Sequence, residues 1–304
     1  MKKKVLFTGG SGLLAINWGL HIEKDFEVFL GLHNRKINIP EVETVFIDIE
    51  SINVFCSALE TIQPDLVIHC AGLANVEDCE SNPDLAYKVN VLFSENVAIA
   101  CKKYTIQLVY ISTDHLFSGL HPMVSEEEPT SALNQYGRTK LEGERMVLSN
   151  DNQSLIIRTN FYGWGTSYRK SFSDFIINNL RNGIPVNLFE DFFYTPILIE
   201  VLSQTVMELV TKNAKGVFNV VGDERISKYE FGKRLANAFN LNANLIQAAK
   251  ISNRKDLVRR PHDLSLSNKK VSSFLNKKIG NVNENILRLF HQEKNGVALK
   301  IQQL

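Results

Sequence analysis

The sequence has too few cysteines, too little net charge and too short apolar runs for several classes of protein. Only four cysteines occur, Cys56, Cys70, Cys79 and Cys101, irregularly spaced and with no Cys-x-x-Cys pair or nearby histidine pattern. That argues against a disulfide scaffold or a zinc ribbon and reads as buried free thiols in a reducing cytoplasm. Lys and Arg number 34 against 33 Asp and Glu, a formal net charge of +1. Nucleic-acid binders need a basic surface to neutralise phosphates, so no such partner is expected. After Met1-Lys2-Lys3-Lys4 the apolar run ends at Phe7, and no uninterrupted apolar stretch approaches a membrane span of ~20 residues. Neither an export segment nor a membrane partner is expected. What remains is 44% hydrophobic and 22% charged, the mix of a soluble globular protein. Its 304 residues suit one large domain or two lobes sharing a cleft.

Short strand-like runs recur at Val5 to Phe7, Glu27 to Leu32, Thr44 to Ile47, Leu66 to His69, Leu108 to Ser112 and Leu155 to Arg158. Helix-length stretches such as Ser51 to Ile62 and Asp84 to Tyr104 lie between them. This alternation predicts an α/β fold with a doubly wound parallel sheet, a Rossmann domain over residues 1–158. After Arg158 the pattern loosens into Phe- and Asn-rich sequence, predicting a smaller, discontinuous C-terminal substrate lobe over 159–304. The strand-like run at 216–222 is expected to return to the sheet, and Lys228 to Phe239 to form a helix. The Phe-rich stretch from Phe172 to Phe193 reads as core or, in part, as a subunit interface, which leaves a homodimer open.

Lys4 to Phe7 runs into Thr8-Gly9-Gly10-Ser11-Gly12-Leu13-Leu14-Ala15, a strand feeding a glycine-dense turn and a helix. Glycine lets backbone approach a pyrophosphate, whose charge then sits on free N–H groups at the helix N-terminus. At the first strand–helix junction of an alternating chain, the turn points to a dinucleotide. NAD-selective sites usually carry an acid at the end of the second strand for the ribose hydroxyls. Here that end reads His33-Asn34-Arg35-Lys36. Two cations and no acid favour NADPH over NADH, with Arg35 on the 2′-phosphate, unless both are solvated loop charges. Asp48 ends the third strand and either accepts from the adenine amine or caps the following helix.

Tyr136-Gly137-Arg138-Thr139-Lys140 sets a phenol and an ammonium four residues apart, on one face of a helix. A free tyrosine titrates near pH ~10, and a neighbouring lysine favours the phenolate. The pair is either catalytic or surface decoration. The preceding strand delivers Ser112-Thr113-Asp114 to the carboxyl edge of the sheet, where open α/β folds bind ligands. A hydroxyl there can hold a carbonyl while the phenol donates a proton.

Taken in order, Thr8 to Ala15, Cys70-Ala71-Gly72, Asn90, Ser112-Thr113-Asp114 and Tyr136-x-x-x-Lys140 resemble the extended short-chain dehydrogenase/reductases. The resemblance is strongest to their dTDP-4-dehydrorhamnose reductase branch, through Ser112 to Gly119, Glu126 to Pro129, Lys140 to Glu144, Arg158 to Gly163, Gly216 to Val220 and Arg260-Pro261. It covers nearly the whole chain and implies NADPH-dependent reduction of a 4-keto group on a nucleotide-diphosphate-linked deoxysugar, for surface polysaccharide synthesis. Thr113 would polarise the ketone, Tyr136 donate the proton, and Lys140 bind the nicotinamide ribose and tune Tyr136. Gly9, Ser11, Gly12, Leu13, Leu14, Arg35, Asp48, Ile49, Cys70, Ala71, Gly72 and Asn90 would form the remaining cofactor set. Asp114, His115, Asn160 and Phe161 would face the substrate, and Arg260 would hold its diphosphate or else form a structural ion pair.

Three features depart from that branch: His115 stands where it usually has Tyr, Phe192 stands where Gln commonly follows Asp191, and the metal-binding carboxylates of some members have no counterpart that maps onto this sequence, so no metal is expected. A dehydratase would need an acidic pair after the hydroxyl residue, and Asp114-His115 is not one. An epimerase of the same fold remains an alternative. So does a non-catalytic NADP-binding regulatory subunit, since the branch includes one in methionine adenosyltransferase.

Overall fold

Alternation along the first strand sets the layers. Val5 and Phe7 join one hydrophobic cluster and Leu6 the other, and Leu66 and Ile68 part from Val67 in the same way. Strands buried on both faces belong to a parallel sheet covered by helices on both sides. The computed structural model, which describes residues 2–304, has a seven-stranded sheet of this kind, with all but the exposed edge strand at Glu43–Phe46 largely buried. Its strands are β1 (Lys4–Thr8), β2 (Glu27–Leu32), β3 (Glu43–Phe46), β4 (Leu66–His69), β5 (Gln107–Ile111), β6 (Leu155–Arg158) and β7 (Gly216–Asn219). All neighbours pair in parallel in the order β3-β2-β1-β4-β5-β6-β7, with Val5 opposite Leu66 and Val109 opposite Leu155. The winding reverses between β1 and β4, and such a sheet opens a crevice at that point of its carboxyl edge.

Six helices follow in the first half: α1 (Leu13–Ile22), α2 (Ile52–Ile62), α3 (Val76–Ser81), α4 (Pro83–Tyr87), α5 (Phe93–Lys103) and α6 (Gln135–Asn150). In α2, Phe55, Ala58, Leu59 and Ile62 recur at helical spacing and are buried. Ser51 starts that helix by accepting the Val54 N–H, and Gln63 ends it in the left-handed conformation. The single helix expected from Asp84 to Tyr104 is interrupted: a π-helical turn over Lys88–Leu92 separates α4 from α5. Such turns cluster at functional sites, and this one seats the buried Asn90.

Beyond Arg158 the chain passes between the sheet and three short strand pairs. Phe161–Tyr162 pairs with Ile197–Leu198, Phe193–Tyr194 with Ile226–Ser227, and Val186–Phe189 with Ile246–Ala249. Helices α7 (Phe172–Arg181) and α9 (Lys228–Ala238) pack on one another in this lobe, whereas α8 (Ile199–Thr211) packs on α1. With β7 beside β6, a stretch near the middle of the second half belongs to the sheet. Among the described residues, no helix is long and apolar enough to cross a membrane.

Candidate active site

The phosphate loop closes on itself before α1 begins. Gly9 has φ +66°, and a Cβ on it would stand 2.8 Å from both Cα and N of Ala71. Glycine is therefore required twice over, by its backbone angle and by the approach of the segment after β4. Gly12 donates to the Gly9 carbonyl (2.8 Å) and occupies the N-cap of α1. No side chain caps that helix and no acid lies in its first turn. Free N–H groups at a helix start favour an anion, so the residues present fit the pyrophosphate of a dinucleotide.

Two side chains frame the outer end of this loop. Tyr168 donates its hydroxyl to the Ser11 carbonyl (2.9 Å), and the exposed Arg35 guanidinium lies 4.0 Å above the centre of the Tyr168 ring. Arg35 is thus held beside the phosphate loop by a residue far along the chain. Asp48 takes the Glu50 N–H on one carboxylate oxygen (2.9 Å), and Ser51 rather than Asp48 caps α2. Ile49 packs as a partly buried residue on the cluster beneath.

A buried polar chain ties β1 to α6. Ala71 donates its N–H to Thr8 Oγ1 (3.2 Å), which lies 2.6 Å from His69 Nδ1. His69 Nε2 lies 3.0 Å from Ser94 Oγ, which donates to the Asn90 carbonyl (2.8 Å). Burial pushes His69 down to about 3, so the ring is neutral, and the directions close if Nε2 carries the proton. Asn90 accepts from Leu73 N–H (2.8 Å) and donates to Leu73 carbonyl and Thr139 Oγ1 (3.0 Å each). Cys70, Ala71 and Gly72 are thereby fixed between the phosphate loop and α6.

Helix α6 is anchored at Asn134, whose Oδ1 accepts the Gly137 N–H (2.9 Å) and whose Nδ2 donates to the Arg259 carbonyl (3.1 Å). A Cβ at Gly137 would come within 2.3 Å of the His115 carbonyl, so the helix start lies directly on the loop after β5. This brings Tyr136 to Thr113 and His115. The imidazole of His115 meets the Tyr136 ring edge-on, centres 5.4 Å apart. Burial pushes the Tyr136 phenol well above its ordinary range, and the Thr113 hydroxyl opposes the shift. Thr113 Oγ1 donates to Asp114 Oδ1 (3.2 Å) and accepts the His115 N–H (3.3 Å).

Lys140 departs from the sequence reading in one respect. Its ammonium donates to the Ile111 carbonyl (2.8 Å) and stands 4.0 Å over the Tyr110 ring. Tethered there, it is not among the groups that shift Tyr136, and burial rather than a lysine sets the phenol's acidity. Burial also lowers Lys140 to about 7, with Glu144 opposing.

Asp114 is buried, and burial raises it to about 6 against the opposing pull of the Asn160 amide, Lys228 and Thr113. The ordinary value is 3.8, so between about pH 4 and 6 the folded protein holds a proton that the unfolded chain has released. Stability from this group therefore falls as pH rises through that window, by about 3 kcal/mol at 1.36 kcal/mol per unit. His115, which burial lowers to about 3, titrates in the opposite sense, as does His69. The quantity to measure is the difference between wild type and Asp114→Asn in urea unfolding from pH 4 to 7. The variant should gain on the wild type as pH rises; a constant difference counts against a protonated Asp114.

Beside Asp114, Asn160 donates its side-chain amide to the carboxylate and accepts the Ile197 N–H on its backbone carbonyl (3.0 Å). Phe161 is partly buried against the main core. Arg260 forms an ion pair with Glu77 and donates from Nε to the Val258 carbonyl (3.2 Å), the structural alternative foreseen for it. Sequence reasoning missed Tyr168, Lys228 and Tyr194. No local motif marks any of them; each reaches the site through tertiary packing alone.

The sheet and its helices have a fold similar to that of the Bacillus anthracis dTDP-4-dehydrorhamnose reductase crystallised with NADP, at a TM-score of 0.85 and 24% identity over 96% of this chain and 100% of that one. They define a Rossmann-type fold. Within it, the chain belongs to the RmlD substrate binding domain family, matched over residues 3–294. It is 28% identical to a probable low-salt glycan biosynthesis reductase of Haloferax volcanii, covering 84% of this chain and 86% of that one. It is 30% identical to methionine adenosyltransferase 2 subunit beta of Bos taurus, covering 79% and 73%.

Proposed function

We propose that this protein uses NADPH to reduce a 4-keto group on a nucleotide-diphosphate-linked deoxysugar. The observation that carries the reading is the meeting of Thr113 and Tyr136 at the carboxyl edge of β5, one helical turn from Lys140. Reduction needs a proton donor that is still protonated at neutral pH, and a phenol raised by burial is one. The bound nicotinamide supplies the hydride. Thr113 orients the ketone oxygen toward Tyr136, and Tyr136 delivers its proton to that oxygen as it gains charge. Lys140, now on the Ile111 carbonyl, lies within one turn of Tyr136 and serves the ribose side. Phe161, Asn160 and His115 are proposed to border the sugar.

The test is spectrophotometric: purified protein should consume NADPH only when a 4-keto nucleotide sugar is added. For cofactor choice, Arg35→Ala should weaken NADPH binding about 10- to 100-fold, the worth of one charge-assisted hydrogen bond, and leave NADH nearly unchanged. Equal affinities of the variant and the wild type for NADPH would remove Arg35 from the 2′-phosphate.

The similarity to methionine adenosyltransferase 2 subunit beta supports a second reading, a cofactor-binding regulatory subunit. Cofactor binding without turnover across a panel of keto-sugar nucleotides would favour it.

A further inference from the structure

The phosphate loop and the segment after β2 are bridged by a residue that belongs to neither. Residues 164–171 form a strap ahead of α7, and both of its ends meet on one carboxylate oxygen of the buried Asp174. That oxygen accepts the Gly165 N–H (2.6 Å), the Ser171 N–H (2.8 Å) and the Ser171 hydroxyl (2.7 Å). Inside the strap, Thr166 N–H donates to the Arg169 carbonyl (3.0 Å) and Arg169 N–H to Thr166 Oγ1 (3.1 Å). The Trp164 carbonyl takes the side-chain amide of Asn17 on α1 (2.7 Å). A short surface loop closed on itself in this way presents its outer residues from a fixed base.

Tyr168 lies inside that turn. Its hydroxyl donates to the Ser11 carbonyl (2.9 Å), and its ring carries the Arg35 guanidinium at 4.0 Å. Burial raises the phenol against the pull of Thr166, Arg35 and Arg169, so it stays a donor at neutral pH. The phosphate loop it grips is also joined to β2, since Gly10 donates to the Gly31 carbonyl (2.8 Å). An aromatic face holds a guanidinium without using up its N–H donors. Among the described residues no carboxylate pairs with Arg35, so those donors remain open to an anion. An exposed arginine otherwise samples many rotamers, and freedom already given up on the ring is not lost again on binding.

We propose that Tyr168 is a positioning residue for cofactor choice: its ring holds Arg35 where the 2′-phosphate of NADPH arrives, and its hydroxyl ties that ring to the phosphate loop. The proposal rests on the assignment of Arg35 to the 2′-phosphate and not on the ketone chemistry. It makes a residue of the C-terminal half of the chain decide which dinucleotide the N-terminal half prefers.

The experiment is calorimetric titration of the full chain with 2′,5′-ADP and with 5′-ADP, which differ only in the 2′-phosphate. Wild type should bind 2′,5′-ADP at least tenfold more tightly. Tyr168→Leu should weaken 2′,5′-ADP about fivefold, the scale of an exposed cation–π contact, and leave 5′-ADP within about twofold, which also shows that the phosphate loop is intact. Tyr168→Phe keeps the ring under Arg35 and should stay within about twofold of wild type for both. In the Arg35→Ala background Tyr168→Leu should have no further effect, because the ring acts through the guanidinium. An equal loss for the two nucleotides would make Tyr168 a brace of the phosphate loop alone and overturns the assignment. Undiminished 2′,5′-ADP affinity in Tyr168→Leu, a further loss in the Arg35→Ala background, or a wild type that binds the two nucleotides alike does the same. If the 2′-phosphate preference depends on Tyr168 but no keto-sugar nucleotide is reduced, the assignment stands and the reductase reading falls. If ketones are reduced and the preference ignores Tyr168, the reverse holds.

Discussion

Tyr136→Phe is expected to lower kcat for NADPH-dependent ketone reduction by about 10²- to 10⁴-fold, the range supplied by a positioned general acid, with cofactor affinity within about twofold of wild type. The phenyl ring still meets the His115 edge at the 5.4 Å ring spacing, so the packing under α6 is preserved and only the hydroxyl is lost. None of the side-chain contacts of the phosphate loop, from Gly9 against Ala71 to Tyr168 on Ser11, involves that hydroxyl. The measurement is steady-state turnover together with NADPH titration by fluorescence. A variant that keeps more than a tenth of wild-type kcat would show that another group delivers the proton. Thr113→Val offers a comparison: it removes the hydroxyl that opposes the upward shift of Tyr136 and leaves the phenol in place.

Much of the sheet and the outline of the site could be read from residue order because both rest on local pattern. Buried runs such as Leu66 to His69 declare a strand by themselves, and Gly9 to Gly12 declare a turn that only glycine can make where the Ala71 backbone comes so close. The electrostatics could not be read this way. Spacing put Lys140 on the same helical face as Tyr136, but which acceptor its ammonium finds depends on where the Ile111 carbonyl ends up. Tyr168 and Lys228 carry no motif, and the strands around them are two to four residues long, too short to show a period. The π-helical turn at Lys88–Leu92 follows from fitting Asn90 between Leu73 and Thr139, a requirement that exists only in three dimensions.

A second large effect concerns the floor beneath α6. Arg158, at the end of β6, meets Glu144 of α6 through Nε at 3.0 Å and Nη2 at 2.8 Å, with side-chain exposures of 6% and 3%. Two ions so far from water are tolerated because they pair, although Nη1 of Arg158 is left without a hydrogen-bond partner, and removing either ion leaves an unpaired buried charge. Glu144→Ala is therefore expected to cost about 3–5 kcal/mol of unfolding free energy, measured by urea denaturation near neutral pH. Replacing both partners, as Glu144→Leu with Arg158→Met, should recover most of that loss, because an apolar pair of similar volume carries no desolvation penalty. The two results separate structure from chemistry. If the double variant is stable but reduces ketones poorly, the pair is retained because it sets the position of α6, and with it Tyr136 and Lys140, over the end of β5. If Glu144→Ala loses less than about 1 kcal/mol, in the range of exposed ion pairs, then water reaches Arg158 and the helix is held by its apolar contacts alone.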